Sequence, residues 1–148
     1  MKVAVIMGSP NDKEKMRGAV EMLERFGIEV DERVLSAHRT PHEVAAFASA
    51  ARRDGYAAVI CGAGMAAHLA GVVAAHTTLP VVGVPLSGGA LNGVDALYAT
   101  VQMPRGIPVA TVAIDGSANA GVLVAEMLSI ADEILAEELA EFRAGGAR

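Results

Sequence analysis

The apolar and polar positions along the chain change period several times, and each change marks an element. Lys2–Met7 is a near-continuous apolar run and reads as a buried strand, ended by the turn residues Gly8-Ser9-Pro10-Asn11-Asp12. Met16, Ala19, Val20, Leu23 and Phe26 then fall at helical spacing within Lys13–Phe26, and Gly27 comes next as a stop. Ile28–Leu35 alternates Ile28, Val30 and Val34 with Glu29, Asp31 and Arg33, the pattern of a strand near a sheet edge. Ser36-Ala37-His38-Arg39 is the next loop. Thr40-Pro41-His42-Glu43 predicts a capped helix start, with Thr40 as cap, Pro41 in the first position and Glu43 closing a capping box. That helix runs to about Asp54 and stops at Gly55.

The second half repeats the alternation. Ala57–Cys61 reads as a strand, Gly62-Ala63-Gly64 as a tight loop, and Met65–His76 as an apolar helix. A strand over Val81–Val84 is introduced by Pro80 and stopped by Pro85. A Gly-rich loop, Leu86–Gly93, leads to a short helix over Val94–Val101, a strand over Val109–Ile114, and one long helix from about Ala118 to Phe142. Ala144–Arg148 reads as a frayed tail. Strands alternating with helices predict a parallel sheet with both faces covered, in one α/β domain spanning residues 1–148. Right-handed crossovers favour a doubly wound sheet of order 2-1-3-4-5 over the dinucleotide-binding order.

Composition sharpens this picture. The chain is 53% apolar but only 3% aromatic, with no Trp. Ala, Val, Leu, Ile and Met must therefore build the core through close backbone approach, and the apolar excess predicts a homo-oligomer. Twelve basic against seventeen acidic residues give a net charge of −5. With no basic run, this argues against nucleic acid as a partner. The most apolar stretch, Ala57–Leu91, is broken by Gly, Pro and His, which argues against a membrane span. A lone cysteine, Cys61, fits a cytoplasmic chain.

In an open sheet of this kind, ligands bind beyond the carboxyl ends of the strands, at the switch in strand order. Polar residues collect there: Gly8, Ser9, Asn11 and Asp12 after the first strand, Ser36, His38 and Arg39 after the second, Gly62, Gly64 and His68 after the third. Gly8 and Ser9 offer a backbone N–H and a hydroxyl to a phosphate, and Arg39 a charged fork. Asp12 could accept from ribose hydroxyls or cap a helix. His38 is the candidate for proton transfer, with a surface loop histidine as the plainer alternative. His68 is either a core or interface histidine or part of the site. Gly62-Ala63-Gly64 lets a ligand approach the backbone, but the full Gly-x-Gly-x-x-Gly pattern is missing, so dinucleotide binding is not supported. His42 and His38 do not share a helix and no third ligand is evident, so a metal site is not supported. Cys61 reads as a small apolar residue. Gly88-Gly89 and Met103-Pro104-Arg105-Gly106 read as mobile lids or tight turns.

Four segments carry a resemblance: Met7-Gly8-Ser9-Pro10-Asn11-Asp12, Ser36-Ala37-His38-Arg39-Thr40-Pro41, Gly62-Ala63-Gly64-Met65-Ala66-Ala67-His68-Leu69 and Val101-Gln102-Met103-Pro104. In order and over almost the whole chain, they resemble the N5-carboxyaminoimidazole ribonucleotide mutases. The resemblance implies a flavodoxin-like three-layer αβα sandwich, a homo-octamer, and a purine-biosynthetic carboxyl transfer on a ribonucleotide without metal, organic cofactor or ATP. It places the catalytic histidine on His38 and phosphate and ribose contacts on Ser9, Asp12, Ser36 and Arg39. Gly64 and His68 complete the expected substrate site. Asn11, Met65 and Ala70 depart from the family pattern, as do Leu86–Ala90, which lacks a Gln-Ser pair, and the short segment Ile114–Asn119. The related carboxylases that use free CO2 carry Lys in place of Arg39 and Gly-Arg-Ser-Asn in place of the Gly64–His68 loop. A non-catalytic sensor of a phosphate ligand is the alternative from another class. A flavodoxin proper is disfavoured, since no aromatic residue is placed to stack a flavin.

Overall fold

The computed structural model describes residues 1–147. Arg148, the last residue of the expected tail, lies outside the described residues. Five parallel strands form one sheet: β1 (Lys2–Met7), β2 (Glu29–Val34), β3 (Tyr56–Gly64), β4 (Val81–Leu86) and β5 (Ala110–Thr111). Their order is β2-β1-β3-β4-β5, as expected. The helices are α1 (Lys13–Arg25), α2 (Pro41–Ala51), α3 (Leu69–His76), α4 (Val94–Val101), α5 (Ser117–Ser129) and α6 (Glu133–Ala144). The result is the doubly wound parallel sheet predicted from the pattern, and the flavodoxin-like α/β sandwich that the resemblance implies.

The two-residue period of the strands sorts the core into two sides. Val3, Val5, Met7, Ile60, Val82 and Val84 face α1, α5 and α6. Ala4, Ile6, Val59, Cys61 and Val81 face α2 and α3. Cys61 is fully buried, and burial pushes its thiol far up, as suits a small apolar residue. β2 carries most of its side chains at the surface, as an edge strand does.

Small residues let the helices close in. A Cβ at Gly18 would lie 2.9 Å from Ser117 Oγ, and one at Gly121 would lie 2.9 Å from the Ala19 carbonyl. The seam between α1 and α5 therefore needs glycine on both sides. A ring-poor composition is spent here, inside the chain. The same holds for α3, whose Leu69, Ala70, Val73 and Ala74 are buried in the intrachain core. Large exposed apolar residues lie elsewhere, among them Leu91, Val94, Tyr98 and Val101, the last three on one helical face of α4.

Several boundaries differ from the sequence expectation. The long C-terminal helix is two helices, because the chain breaks at 130–132 and Asp132 caps α6 through Leu135 N–H at 3.1 Å. Gly62-Ala63-Gly64 is not a loop but the end of β3, paired with Val84, Pro85 and Leu86. β4 runs through Pro85, since β5 pairs only with Val82 and Gly83 and asks for no donor further on. β5 is shorter than Val109–Ile114. α3 starts at Leu69 rather than Met65, and α2 ends at Ala51 rather than near Asp54.

Candidate active site

A cavity of about 440 Å³ opens at the carboxyl ends of β1, β2, β3 and β4. Every predicted site residue lines it: Ser9, Asp12, Ser36, His38, Arg39, Gly64 and His68. Each loop has a local reason for its shape. After β1, Gly8 N–H donates to the Gly62 carbonyl at 3.1 Å and ties the first loop to β3. Ser9 Oγ accepts from Asn11 N–H at 3.3 Å, which starts a short 3-10 turn, Pro10–Asp12, in front of α1. Asp12 sits at the start of α1, but its carboxylate makes no capping bond. Burial raises its proton affinity above the ordinary carboxylate range, against the smaller pull of Lys15 and a backbone hydrogen bond at Ser9. The cap alternative is thus not realised, and the carboxylate is left to the cavity.

After β2, Ser36 and Thr40 fold the loop back on itself. Ser36 N–H donates to Thr40 Oγ1 at 3.1 Å, Thr40 N–H donates to the Ser36 carbonyl at 2.9 Å, and Arg39 N–H donates to Ser36 Oγ at 3.2 Å. The predicted capping box does not form, because the Thr40 hydroxyl is engaged with Ser36 rather than with the first turn of α2. This closed turn presents His38 and Arg39 at its exposed tip.

After β3, Met65 takes a left-handed backbone, φ +52°, a conformation that glycine adopts at lower cost. His68 immediately precedes α3 and is exposed rather than buried in the core. Its Nδ1 lies 2.8 Å from His38 Nε2, with the rings nearly perpendicular at 84°. One ring donates the proton and the other accepts it. The structure thus joins two histidines 30 residues apart in sequence. Gly64 lines the cavity, and a Cβ there would lie 3.3 Å from the Leu86 carbonyl; behind it, a Cβ at Gly62 would strike the core side chain of Met16.

Ser87-Gly88-Gly89 forms a fourth wall, which reads in the sequence as a Gly-rich loop, either a mobile lid or a tight turn. Ser87 N–H donates to Asp115 Oδ1 at 2.8 Å, and Lys15 Nζ donates to the Ser87 carbonyl at 2.5 Å and to Ser87 Oγ at 2.9 Å. Burial would raise the Asp115 carboxyl, but its hydrogen bonds from Ser87 and the charge of Lys15 prevail and hold it below the ordinary range. Among the described residues no group of three or more His, Cys, Asp or Glu is placed to hold a metal ion. Nor, among them, is any helix long and apolar enough to cross a membrane.

This fold and rim define a class: doubly wound α/β proteins with a cavity over the strand ends, here carrying an imidazole pair beside Arg39 and the Gly8–Ser9 turn. Comparison with known proteins makes it specific. The chain belongs to the AIR carboxylase family, whose model matches residues 2–148. It is 52% identical to the N5-carboxyaminoimidazole ribonucleotide mutase of Vibrio vulnificus, over 97% of this chain and 90% of that protein. It is 53% identical to the protein of the same name from Saccharolobus solfataricus, over 95% of this chain and 89% of that one. The crystal structure of Treponema denticola PurE superposes with a TM-score of 0.89 at 28% identity, covering 99% of this chain and 91% of that chain.

Proposed function

We propose that this chain is an N5-carboxyaminoimidazole ribonucleotide mutase. It converts the N-carboxylated amine into the ribonucleotide with the carboxyl on the adjacent ring carbon, in purine biosynthesis. The observation that carries the reading is the His38–His68 pair at the mouth of a cavity that also holds Ser9, Asp12, Ser36 and Arg39. The similarity to mutases of near-equal length supports it.

The roles follow from the chemistry of each group. Arg39, Ser9 and the Gly8–Ser9 turn hold the phosphate. Asp12 and Ser36 accept from and donate to the ribose hydroxyls. Protonated His38 gives its proton to the exocyclic nitrogen as the N–C bond breaks, leaving the amine, CO2 and a neutral imidazole. Bound substrate covers the cavity and keeps CO2 beside the ring. The ring carbon attacks CO2, forming the C–C bond and a carbon that bears both carboxylate and hydrogen. Neutral His38 removes that hydrogen as a proton, restoring the aromatic ring and its own charge. One histidine suffices, because each cycle returns the proton it spent. No step calls for a metal or an organic cofactor.

The reading extends to one catalytic domain over residues 1–148 acting in the cytoplasm as a homo-oligomer, an octamer by the resemblance. Leu91, Val94, Tyr98 and Val101 support an assembly, since Tyr98 alone is 61% exposed and a monomer gains nothing from such a stripe. The deciding assay offers purified protein the N-carboxylated substrate without bicarbonate, and separately the amine with high bicarbonate. Turnover of the first is the expected result. Preferential use of the amine assigns the chain to the free-CO2 carboxylases instead.

A further inference from the structure

We propose that Lys15 and Asp115 are positioning residues that hold the Gly88-Gly89 strap over the substrate cavity by gripping Ser87 from both sides. The inference rests on the substrate site proposed above and adds two residues that do not line the cavity themselves. All three polar groups of Ser87 are engaged: its N–H by Asp115, its carbonyl and hydroxyl by Lys15. Two charged side chains thus converge on one serine from α1 and from the loop after β5, 72 and 28 residues away in sequence. Charge-assisted bonds of this kind are the stronger ones a protein can make.

The two residues after Ser87 are the reason such a grip is needed. Gly88 and Gly89 have φ of +138° and +64°, so this wall of the cavity is built from the most permissive residue type. Among the described residues neither glycine has its N–H in a hydrogen bond, so both amides remain for a ligand. Left to itself such a segment samples many conformations, and each binding event would have to order it. Fixing Ser87 removes most of that cost in advance. Gly93 closes the loop from behind: its φ is +95°, and a Cβ there would lie 3.1 Å from Ser87 Cα. Asp115 holds its place in a left-handed backbone, φ +57°, which an aspartate tolerates better than most residues.

The test separates positioning from folding and from chemistry. Lys15→Met keeps the helix and removes the donors; Lys15→Arg keeps charge and donors; Ser87→Ala removes only the hydroxyl. Each is titrated with 4-carboxy-5-aminoimidazole ribonucleotide, assayed for KM and kcat, and followed by amide hydrogen exchange at residues 87–89. Lys15→Met is expected to raise Kd and KM about tenfold, with kcat within about twofold and exchange at the strap accelerated. Ser87→Ala is expected to show about a threefold rise, and Lys15→Arg to recover most of the loss. Wild-type Kd and KM in both Lys15→Met and Ser87→Ala would overturn the proposal, as would a defect in Lys15→Met confined to kcat. A wild-type protein that binds the nucleotide without turning it over refutes the mutase reading and leaves the grip to be judged by titration. If it does not bind the nucleotide, strap exchange alone judges the grip.

Discussion

The rim of the cavity and the seam between α1 and α5 are both made of glycine and alanine, and they use them for opposite ends. At the seam, Gly18 and Gly121 let two helices approach until a Cβ would meet backbone or side chain within 3 Å. The space a side chain would have taken is filled by another element of the same chain. At the rim, Gly8, Gly64, Gly88 and Gly89 line a cavity of about 440 Å³ that no element fills. A Cβ at Gly8 would meet nothing closer than 3.9 Å. Small residues at the seam let two helices close, and at the rim they leave a cavity open.

That contrast can be broken at either end. The largest effect is expected from His38→Asn, which keeps a polar side chain at the rim and removes proton transfer. Activity should fall about 10²–10⁴-fold with an unchanged melting temperature, read by steady-state assay and calorimetry. Retained full activity would remove His38 from the mechanism. Next is the seam: Gly121→Val places atoms against Met22 Cβ and the Ala19 carbonyl and should cost about 3 kcal/mol in a denaturant titration. Its folded fraction should bind substrate normally. The matched change at the rim, Gly8→Ala, should leave stability within about 0.5 kcal/mol. It should raise KM severalfold, since the new methyl points into ligand space. A Gly8→Ala variant as unstable as Gly121→Val would erase the distinction.

The smallest effect comes from pH. The Asp115 carboxyl is held below its ordinary value in the folded chain. A depressed carboxyl stabilises the fold at pH above the unfolded value of about 3.9, and that contribution is lost as pH falls through the lower folded value. Acid titration of wild type below about pH 4 should therefore show a component that Asp115→Asn lacks. Through this carboxylate a support behind the rim contributes to stability.

Much of the fold is legible in the chain itself, for reasons that differ by region. The inner strands are legible as apolar runs and β2 as an alternating edge strand, while the order follows from the right-handed crossovers that the intervening helices impose. His38 and Arg39 stand out because a loop has no packing reason to hold them. The hidden features depend on contacts between distant segments. Gly62-Ala63-Gly64 reads as a loop until β4 lies beside it and supplies hydrogen-bond partners. The break between α5 and α6 is masked by apolar residues that continue through Ile130, and only Asp132 signals the new start. The capping box at Thr40 fails because Ser36, four residues earlier, competes for the same hydroxyl. The pairing of His38 with His68 needs β1 to sit between β2 and β3, which is a property of the sheet and not of either loop.

The order in which the chain is made adds a further consequence. Every residue lining the cavity lies between Gly8 and Gly89. Lys15 lies there too, but other supports do not: α5, which packs on α1, begins at Ser117, and Asp115, which holds the Ser87 N–H, comes after β5. A nascent chain that has emerged as far as α4 already carries every reacting group, yet its strap can be gripped only from the Lys15 side and α1 still lacks α5. Contacts between segments so far apart close late, because their loop entropy is spent before they return anything. Synthesis thus delivers the chemistry first and the competence last, and a chain released early holds a complete set of site residues without a site.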